Sequence, residues 1–244
     1  MIYVSISTIP QRIKTINKSI ESLLNQTLKP KKIFINIPKE FRRFKEKISD
    51  NDIPKFPAGV EVTRCEDSGP GTKLLGSLKK INNNSLLILA DDDQVYEDFM
   101  IEQFNNFYVS SPNNAYSFYV HPLGKFGIGQ GADGFAINTK FLNGIQSFYD
   151  QVVKNYEELF LYDDLWISYY LYFFKKNKIL SLQEYLELDK EGKRKTIYKS
   201  HTSSHGLIST YGKNINEAIR ERDRKARISF KYMMEKTKNL FFNY

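Results

Sequence analysis

Hydrophobic and polar positions fall into a strand–helix rhythm over the first part of the chain. Ile2 to Ser7 alternates and is rich in β-prone residues, which predicts a first strand. Thr8-Ile9-Pro10-Gln11 reads as a helix start, with Thr8 as cap and Pro10 in the first turn. Ile13, Ile16, Ile20, Leu23, Leu24 and Leu28 follow at helical spacing until Pro30. Lys32 to Ile37 and Val60 to Thr63 predict the next two strands, and Thr72 to Ile81 a helix with Leu74, Leu75 and Leu78 on one face. Leu86 to Ala90 is apolar at every position, the pattern of a central parallel strand covered on both faces. Such alternation specifies a parallel α/β sheet. Beyond it the order is mixed. Helices are expected over 97–108, 140–155 and 163–176, and strands over 115–120 and 179–182. A Gly-rich stretch over 127–134 leads into Phe135-Ala136-Ile137, and a long basic helix is expected over 214–239.

Composition narrows the class. The chain has 244 residues, 41% of them hydrophobic, which fits one large globular domain, or one domain with a small appendage. Cys65 is the one cysteine, so no internal disulfide forms and a cytoplasmic setting is expected. Met1-Ile2-Tyr3-Val4-Ser5 does not have the pattern of a secretory signal, and no apolar run is long enough to span a bilayer. The formal net charge of +8 is concentrated late, densely in Arg220, Arg222, Arg224, Lys225, Arg227 and Lys231. Such a cluster is either a solvated helix face or a surface for anionic partners. Aromatic residues lie mostly in apolar-periodic segments rather than interleaved with basic ones, which argues against a nucleic-acid-binding module.

The first chemical signal is Asp91-Asp92-Asp93, directly after the apolar strand Leu86–Ala90. Ligands of open α/β sheets bind at the carboxyl ends of strands. Adjacent carboxylates there are costly unless neutralised, and a hard divalent cation, Mg²⁺ or Mn²⁺, is the fitting partner. A solvent-facing helix cap accounts for one Asp but poorly for three. The sequence Leu89-Ala90-Asp91-Asp92-Asp93 resembles the Asp-X-Asp motif of GT-A glycosyltransferases of the family-2-like kind. The resemblance covers about residues 1–210 in motif order. It implies a GT-A, Rossmann-like, mainly parallel sheet flanked by helices. A nucleotide-binding half would span about 1–93 and an acceptor half about 94–210, with 211–244 as a C-terminal basic helix. Asp93 and Asp91 would then hold the metal, while Ser7, Thr8, Arg12, Asp67, Lys73, Asp91 and Asp92 would surround the donor. The donor implied is a nucleotide-diphosphate sugar, with uridine as the base by family frequency. Arg12 and Lys73 would offset diphosphate charge, although either also fits an ordinary surface helix charge.

Further expectations follow from the same resemblance. Gly131-Ala132-Asp133-Gly134 matches the segment between donor and acceptor, with Asp133 accepting a sugar or acceptor hydroxyl; a plain hairpin turn is the alternative. Asp163-Asp164 opens a predicted helix and resembles the acidic pair that supplies the general base of inverting enzymes, Asp164 being favoured over Asp163. Trp166 either packs in the core or stacks on a sugar. A late histidine, His205 or His201, would complete the metal shell, while His121 is expected in an acceptor loop or at the surface. The reaction implied is transfer of a sugar to a hydroxyl acceptor, a glycan or lipid-linked glycan, with the basic helix touching the cytoplasmic face of a membrane. A nucleotidyltransferase acting on a sugar phosphate would share the metal and nucleotide, but commonly carries a Gly-rich loop after the first strand. Here that loop is Ser7-Thr8-Ile9-Pro10-Gln11-Arg12, which contains no glycine.

Overall fold

The computed structural model describes residues 1–183, 186, 197–201 and 214–241. Strand β1 (Ile2–Ser7) leads into helical turns and then α1 (Asn17–Leu24), β2 (Lys32–Pro38), β3 (Val60–Cys65), α2 (Thr72–Leu75) and β4 (Leu86–Leu89). Next come β5 (Gln94–Tyr96), α3 (Met100–Ser110), β6 (Ala115–Ser117), β7 (Val120–Leu123), β8 (Phe126–Gly129) and β9 (Phe135–Asn138). Helices α4 (Ile145–Phe148), α5 (Glu157–Phe160) and α6 (Asp163–Tyr169) precede β10 (Ile179–Ser181), β11 (Tyr198–His201) and α7 (Ile215–Phe241). No helix among the described residues is long and apolar enough to cross a membrane.

Seven strands form one sheet in the order β10-β6-β9-β4-β1-β2-β3. The β1–β2, β2–β3, β1–β4 and β6–β10 pairs are parallel, and only β9 runs against its neighbours β4 and β6. The period of two explains how the sheet is covered. Tyr3, Phe34, Leu87, Leu89, Phe135 and Ile137 bury on one face, and Val4, Ile6, Ile33, Ile35, Ile88 and Ala136 on the other. Every residue of β4 is at most 1% exposed, as its unbroken apolar run requires. The chain winds from β1 outward through β2 and β3, then returns to place β4 on the other side of β1. The crevice beyond the carboxyl ends of β1 and β4 is therefore the topological switch point where such sheets bind ligands.

Several elements depart from the periodicity. The first helix begins at Asn17, not near Thr8; residues 10–16 form turns joined by bonds such as Thr15 N–H to Arg12 C=O at 2.9 Å. Ile13 and Ile16 stay buried, so the apolar spacing survives while Thr8 does not cap a helix. The helix expected over 72–81 breaks after Leu75, because Gly76 lies against the Asn36 side chain and Ser77 Oγ bonds Ser5 Oγ at 2.9 Å. The third helix starts at Met100, since the Glu97 and Asp98 carbonyls accept bonds from Gln26 Nε2 and Thr27 N–H. The strand expected over 115–120 divides into β6 and β7, with Ser117 Oγ donating to Tyr119 C=O at 2.9 Å and accepting from Gln130 N–H at 2.8 Å. The helix expected over 140–155 breaks into short turns around α4, which Gly144 opens at φ 89°. The hairpin of this region is β7–β8, turning at Gly124 (φ 67°), so Gly131 and Gly134 belong to the loop that follows it.

Helix α7 packs along the domain. Tyr232 stacks on Tyr156 at 4.0 Å between ring centroids, Thr237 Oγ1 lies 2.7 Å from Tyr169 Oη, and Ala218, Ala226 and Met233 are fully buried. Ile219 and Ile228 of the same helix are exposed. Trp166 is a core residue, which corrects the expectation of a sugar-stacking side chain: it is 0% exposed and lies against Tyr149 and Gly71. Truncating a buried ring leaves a cavity, so Trp166→Ala is expected to cost about 3–5 kcal/mol of stability in urea unfolding. An unchanged midpoint would remove Trp166 from the core.

Candidate active site at the switch point

A cleft of about 430 Å³ opens at the carboxyl ends of the parallel strands. Its lining comes from Ser7, Thr8 and Arg12 after β1, Asp67 to Lys73 after β3, and Asp91 and Asp92 after β4. Gln130 and Ala132 from the β8–β9 loop, Leu161 to Asp164 at the start of α6, and Arg222 of α7 also contribute. Of the residues singled out in the sequence, Ser7, Thr8, Arg12, Asp67, Lys73, Asp91, Asp92, Asp163 and Asp164 all line this one cleft.

Lys73 stands at the centre. Its side chain is 6% exposed, with Nζ 2.5 Å from Asp91 Oδ1 and 3.4 Å from Asp163 Oδ2. It is therefore a buried site residue rather than a surface helix charge. Burial opposes its charge, yet Asp163, Asp91 and Asp164 overrule this and raise its proton affinity well above that of a free lysine. Its position is fixed from below. Ser5 Oγ donates to Lys73 C=O at 2.5 Å, and Asn36 Nδ2 donates to Ser5 Oγ at 2.8 Å. These two polar residues, on the inner faces of β1 and β2, tie α2 to the sheet.

A second ion pair flanks the first. Arg12 Nη1 lies 2.8 Å from Asp92 Oδ1 and 3.2 Å from Asp93 Oδ2. Burial pushes the Asp92 carboxyl up to about 6, against the pull of Arg12. Asp93 turns to Arg12 and is not among the cleft-lining residues, whereas Asp91 is.

The acidic pair opening α6 divides in two directions. Asp164 Oδ1 accepts the Gly131 N–H at 2.9 Å, while Asp163 faces Lys73. Burial and then the charge of Asp163 raise Asp164 well above the ordinary carboxylate range; burial also raises Asp163, against the pull of Lys73. Gly131 is needed here for space. A Cβ on it would stand 2.9 Å from Lys73 Nζ and 3.3 Å from Asp164 Oδ1. Tyr96 links the two sides of the site: its hydroxyl accepts from Asp91 N–H at 2.8 Å and donates to Ala132 C=O at 3.1 Å. Asp133 does not line the cleft, and burial together with the Asp91 charge pushes its carboxyl up to about 6. Asp67 accepts the N–H groups of Arg42 and Gly69, at 2.7 and 2.9 Å, which holds the loop after β3 in place.

Strand β11 pairs antiparallel with β5, and His201 is opposite Gln94, directly after Asp93. The His201 backbone thus runs beside the acidic segment, while its side chain and the whole of His205 lie outside the described residues. His121 belongs to β7 and is 9% exposed, not a surface residue.

The donor set fits a divalent cation. Asp91, Asp92, Asp93, Asp133, Asp163 and Asp164 outnumber Arg12 and Lys73, and burial raises Asp92, Asp133 and Asp164 further towards their neutral forms. Among the described residues no three His, Cys, Asp or Glu side chains converge as a ready-made metal cage. Ions bound together with substrate phosphates need only one or two protein carboxylates.

Phe41, Arg43, Phe44, Gln130 and Arg222 also line the cleft and were not anticipated. Phe41 to Phe44 follow the end of β2, and that position after a parallel strand was their one legible signal. Arg222 had a signal in its spacing, one helical turn from Ala218 and Ala226.

No protein-family model matches the chain, and no characterised protein matches it in sequence. In structure it is similar to S. aureus TarS 1-349 in complex with UDP, at 12% identity over 98% of this chain and 71% of that one, with a TM-score of 0.50. It is similar to the same degree, TM-score 0.50 at 12% identity, to 4-diphosphocytidyl-2C-methyl-D-erythritolsynthase from Anaerococcus prevotii, covering 92% of this chain and 97% of that one. A mannosyltransferase from Pyrobaculum calidifontis in complex with GDP-Man and Mn2+ scores 0.44 at 12% identity, and this chain spans 46% of its length. The likeness rests on the first two, and at such identities it is a likeness of fold. It establishes the architecture expected from the sequence: a GT-A type, Rossmann-like fold with a mixed, mainly parallel sheet flanked by helices.

Proposed function

We propose that the chain is a glycosyltransferase that moves a sugar from a nucleotide-diphosphate donor, a UDP-sugar first among them, to a hydroxyl acceptor, with a divalent cation and inversion. The observation that carries this reading is the meeting of Asp91 with Asp163 and Asp164 in one cleft at the switch point, joined through Lys73. The donor nucleotide lies over the ends of β1 and β3, beside Thr8, Arg12 and Asp67. Lys73 faces the diphosphate and offsets its charge. Asp91, with Asp93 and a late histidine as further candidates, would hold Mn²⁺ or Mg²⁺, and the ion would supply Lewis-acid neutralisation of the leaving group. Asp164, its proton affinity raised by burial, takes the acceptor hydroxyl proton as that oxygen bonds to the anomeric carbon. The bond from that carbon to the diphosphate oxygen breaks, and a nucleoside diphosphate leaves. Gly131 N–H holds the Asp164 carboxylate in place, and Asp163 keeps Lys73 charged.

A nucleotidyltransferase acting on a sugar phosphate is the second reading, favoured by a fold likeness of equal strength. Against it stands the glycine-free loop after β1. The two reactions part at their products. Incubation with a panel of nucleotide sugars and Mn²⁺ should release a nucleoside diphosphate. Pyrophosphate release from a nucleoside triphosphate and a sugar phosphate would instead establish nucleotidyl transfer. Asp164→Asn should lower turnover by about 10²–10⁴-fold, the ordinary worth of a positioned general base. Gly131→Ala should lower it through displacement of Lys73 and Asp164, and EDTA should abolish it. Full turnover in EDTA, or in Asp164→Asn, would sink this mechanism.

We place the acceptor on a lipid-linked glycan at the cytoplasmic face of a membrane. Arg220, Arg224, Arg227 and Lys231 of α7 are exposed, and basic residues near an anionic surface contribute about 1 kcal/mol each. Sedimentation with anionic vesicles should pellet the protein, with steep loss as salt rises. Equal pelleting with neutral vesicles, or none with anionic ones, rejects the membrane contact.

A further inference from the structure

Among the cations that line the cleft, Arg12 and Lys73 are committed to aspartates of the site. Arg222 is not. It arrives on α7, far along the chain, and its side chain is only 16% exposed. Its neighbours on that helix behave differently: Arg220, Arg224 and Arg227 face solvent, and Arg224 forms its own pair with Glu221 at 2.7 Å. Helical spacing explains the difference. Ala218 and Ala226, one turn before and one turn after Arg222, are fully buried, so Arg222 is turned inward with them.

Among the described residues the guanidinium is held on one side. Arg222 Nε and Nη2 each lie 3.3 Å from Asp223 Oδ1, and Nη2 lies 3.4 Å from His121 Nδ1. His121 Nε2 is 3.2 Å from the same Asp223 oxygen. Burial and the Arg222 charge lower the basicity of His121, so the ring is neutral at neutral pH, with Nδ1 accepting from Arg222 and Nε2–H donating to Asp223. This arrangement aims the arginine and leaves Nη1, with two N–H donors, without a protein partner among the described residues. A planar guanidinium fork with free donors suits a phosphate group.

We infer that Arg222 contacts a phosphate of the substrate in the cleft, with His121 and Asp223 as its positioning residues. The anion site stands on the geometry alone. Which phosphate it takes, the donor diphosphate or a phosphate carried by the acceptor, rests on the glycosyltransferase reading above.

Calorimetry on the full chain with Mg²⁺ present tests this, using pyrophosphate, inorganic phosphate, UDP and uridine as probes. Arg222→Gln should weaken pyrophosphate binding about tenfold or more, the loss of a charge-assisted hydrogen bond. Arg222→Lys should fall in between, and Arg220→Gln, on the exposed side of the same helix, should bind as the parent does. His121→Gln should weaken binding less than Arg222→Gln while keeping the urea midpoint of the parent. Parallel weakening of UDP, with uridine unaffected, assigns the donor diphosphate. Unchanged UDP binding, with loss of inorganic phosphate binding to the UDP-saturated protein, assigns an acceptor phosphate. Pyrophosphate binding through Arg222 without any binding of UDP, GDP or other nucleoside diphosphates would keep the anion site and remove the nucleotide-sugar reading. Absence of pyrophosphate and phosphate binding in the parent, equal binding in Arg222→Gln, or an equal loss in Arg220→Gln would overturn the inference.

Discussion

One buried ammonium group joins the two halves of the site. Lys73 comes from the short helix after β3, Asp91 from the end of β4, and Asp163 from the start of α6. Without that charge between them, the carboxylates would repel one another in a poorly solvated crevice, and burial would push each towards its neutral form. The lysine in turn needs the aspartates, since an unpaired ammonium at this depth would lose its proton. The arrangement is mutual, and it explains why the chain places an ordinary polar pair, Ser5 and Asn36, inside the sheet. Their bonds to the Lys73 carbonyl chain fix where the charge sits.

Strand positions were legible because period-two burial and the unbroken apolar run of β4 leave few alternatives. The switch point followed from strand order, and the acidic motifs stood at element ends where patterning already located them. Helix starts were not legible in the same way. Thr8 and Glu97 sit in segments with good local helix signals, but polar groups there serve distant partners instead. Arg12 reaches Asp92, and Gln26 takes the Glu97 carbonyl. Such long-range claims leave no mark on local sequence. Trp166 shows the same limit from the opposite direction. A lone tryptophan beside an acidic pair suits a sugar platform, yet the space under Gly71 makes it core.

The role of the last helix was half legible. Its charge suggested a solvated or membrane-facing surface, and most of its arginines are indeed exposed. Its phase, read through Ala218, Arg222 and Ala226, carried the other half. One face is pinned to the domain by Tyr232 and Thr237, and that face delivers a cation into the cleft. Charge counted along a sequence mixes these two populations; helical phase separates them.

The Tyr96 hydroxyl spans from the Asp91 amide to the Ala132 carbonyl, and Ala132 adjoins the glycine whose amide holds Asp164. A load placed on Asp91 is therefore shared with the loop that sets the Asp164 carboxylate. In thermodynamic terms any coupling free energy between the two ends of the cleft is reciprocal. Whatever occupancy at Asp91 does to the proton affinity and aim of Asp164, a ligand seated against Asp164 does in equal measure to the affinity at Asp91. The hydrogen-bond chain through one tyrosine is thus a second physical link between the two ends of the cleft, beside the charge of Lys73.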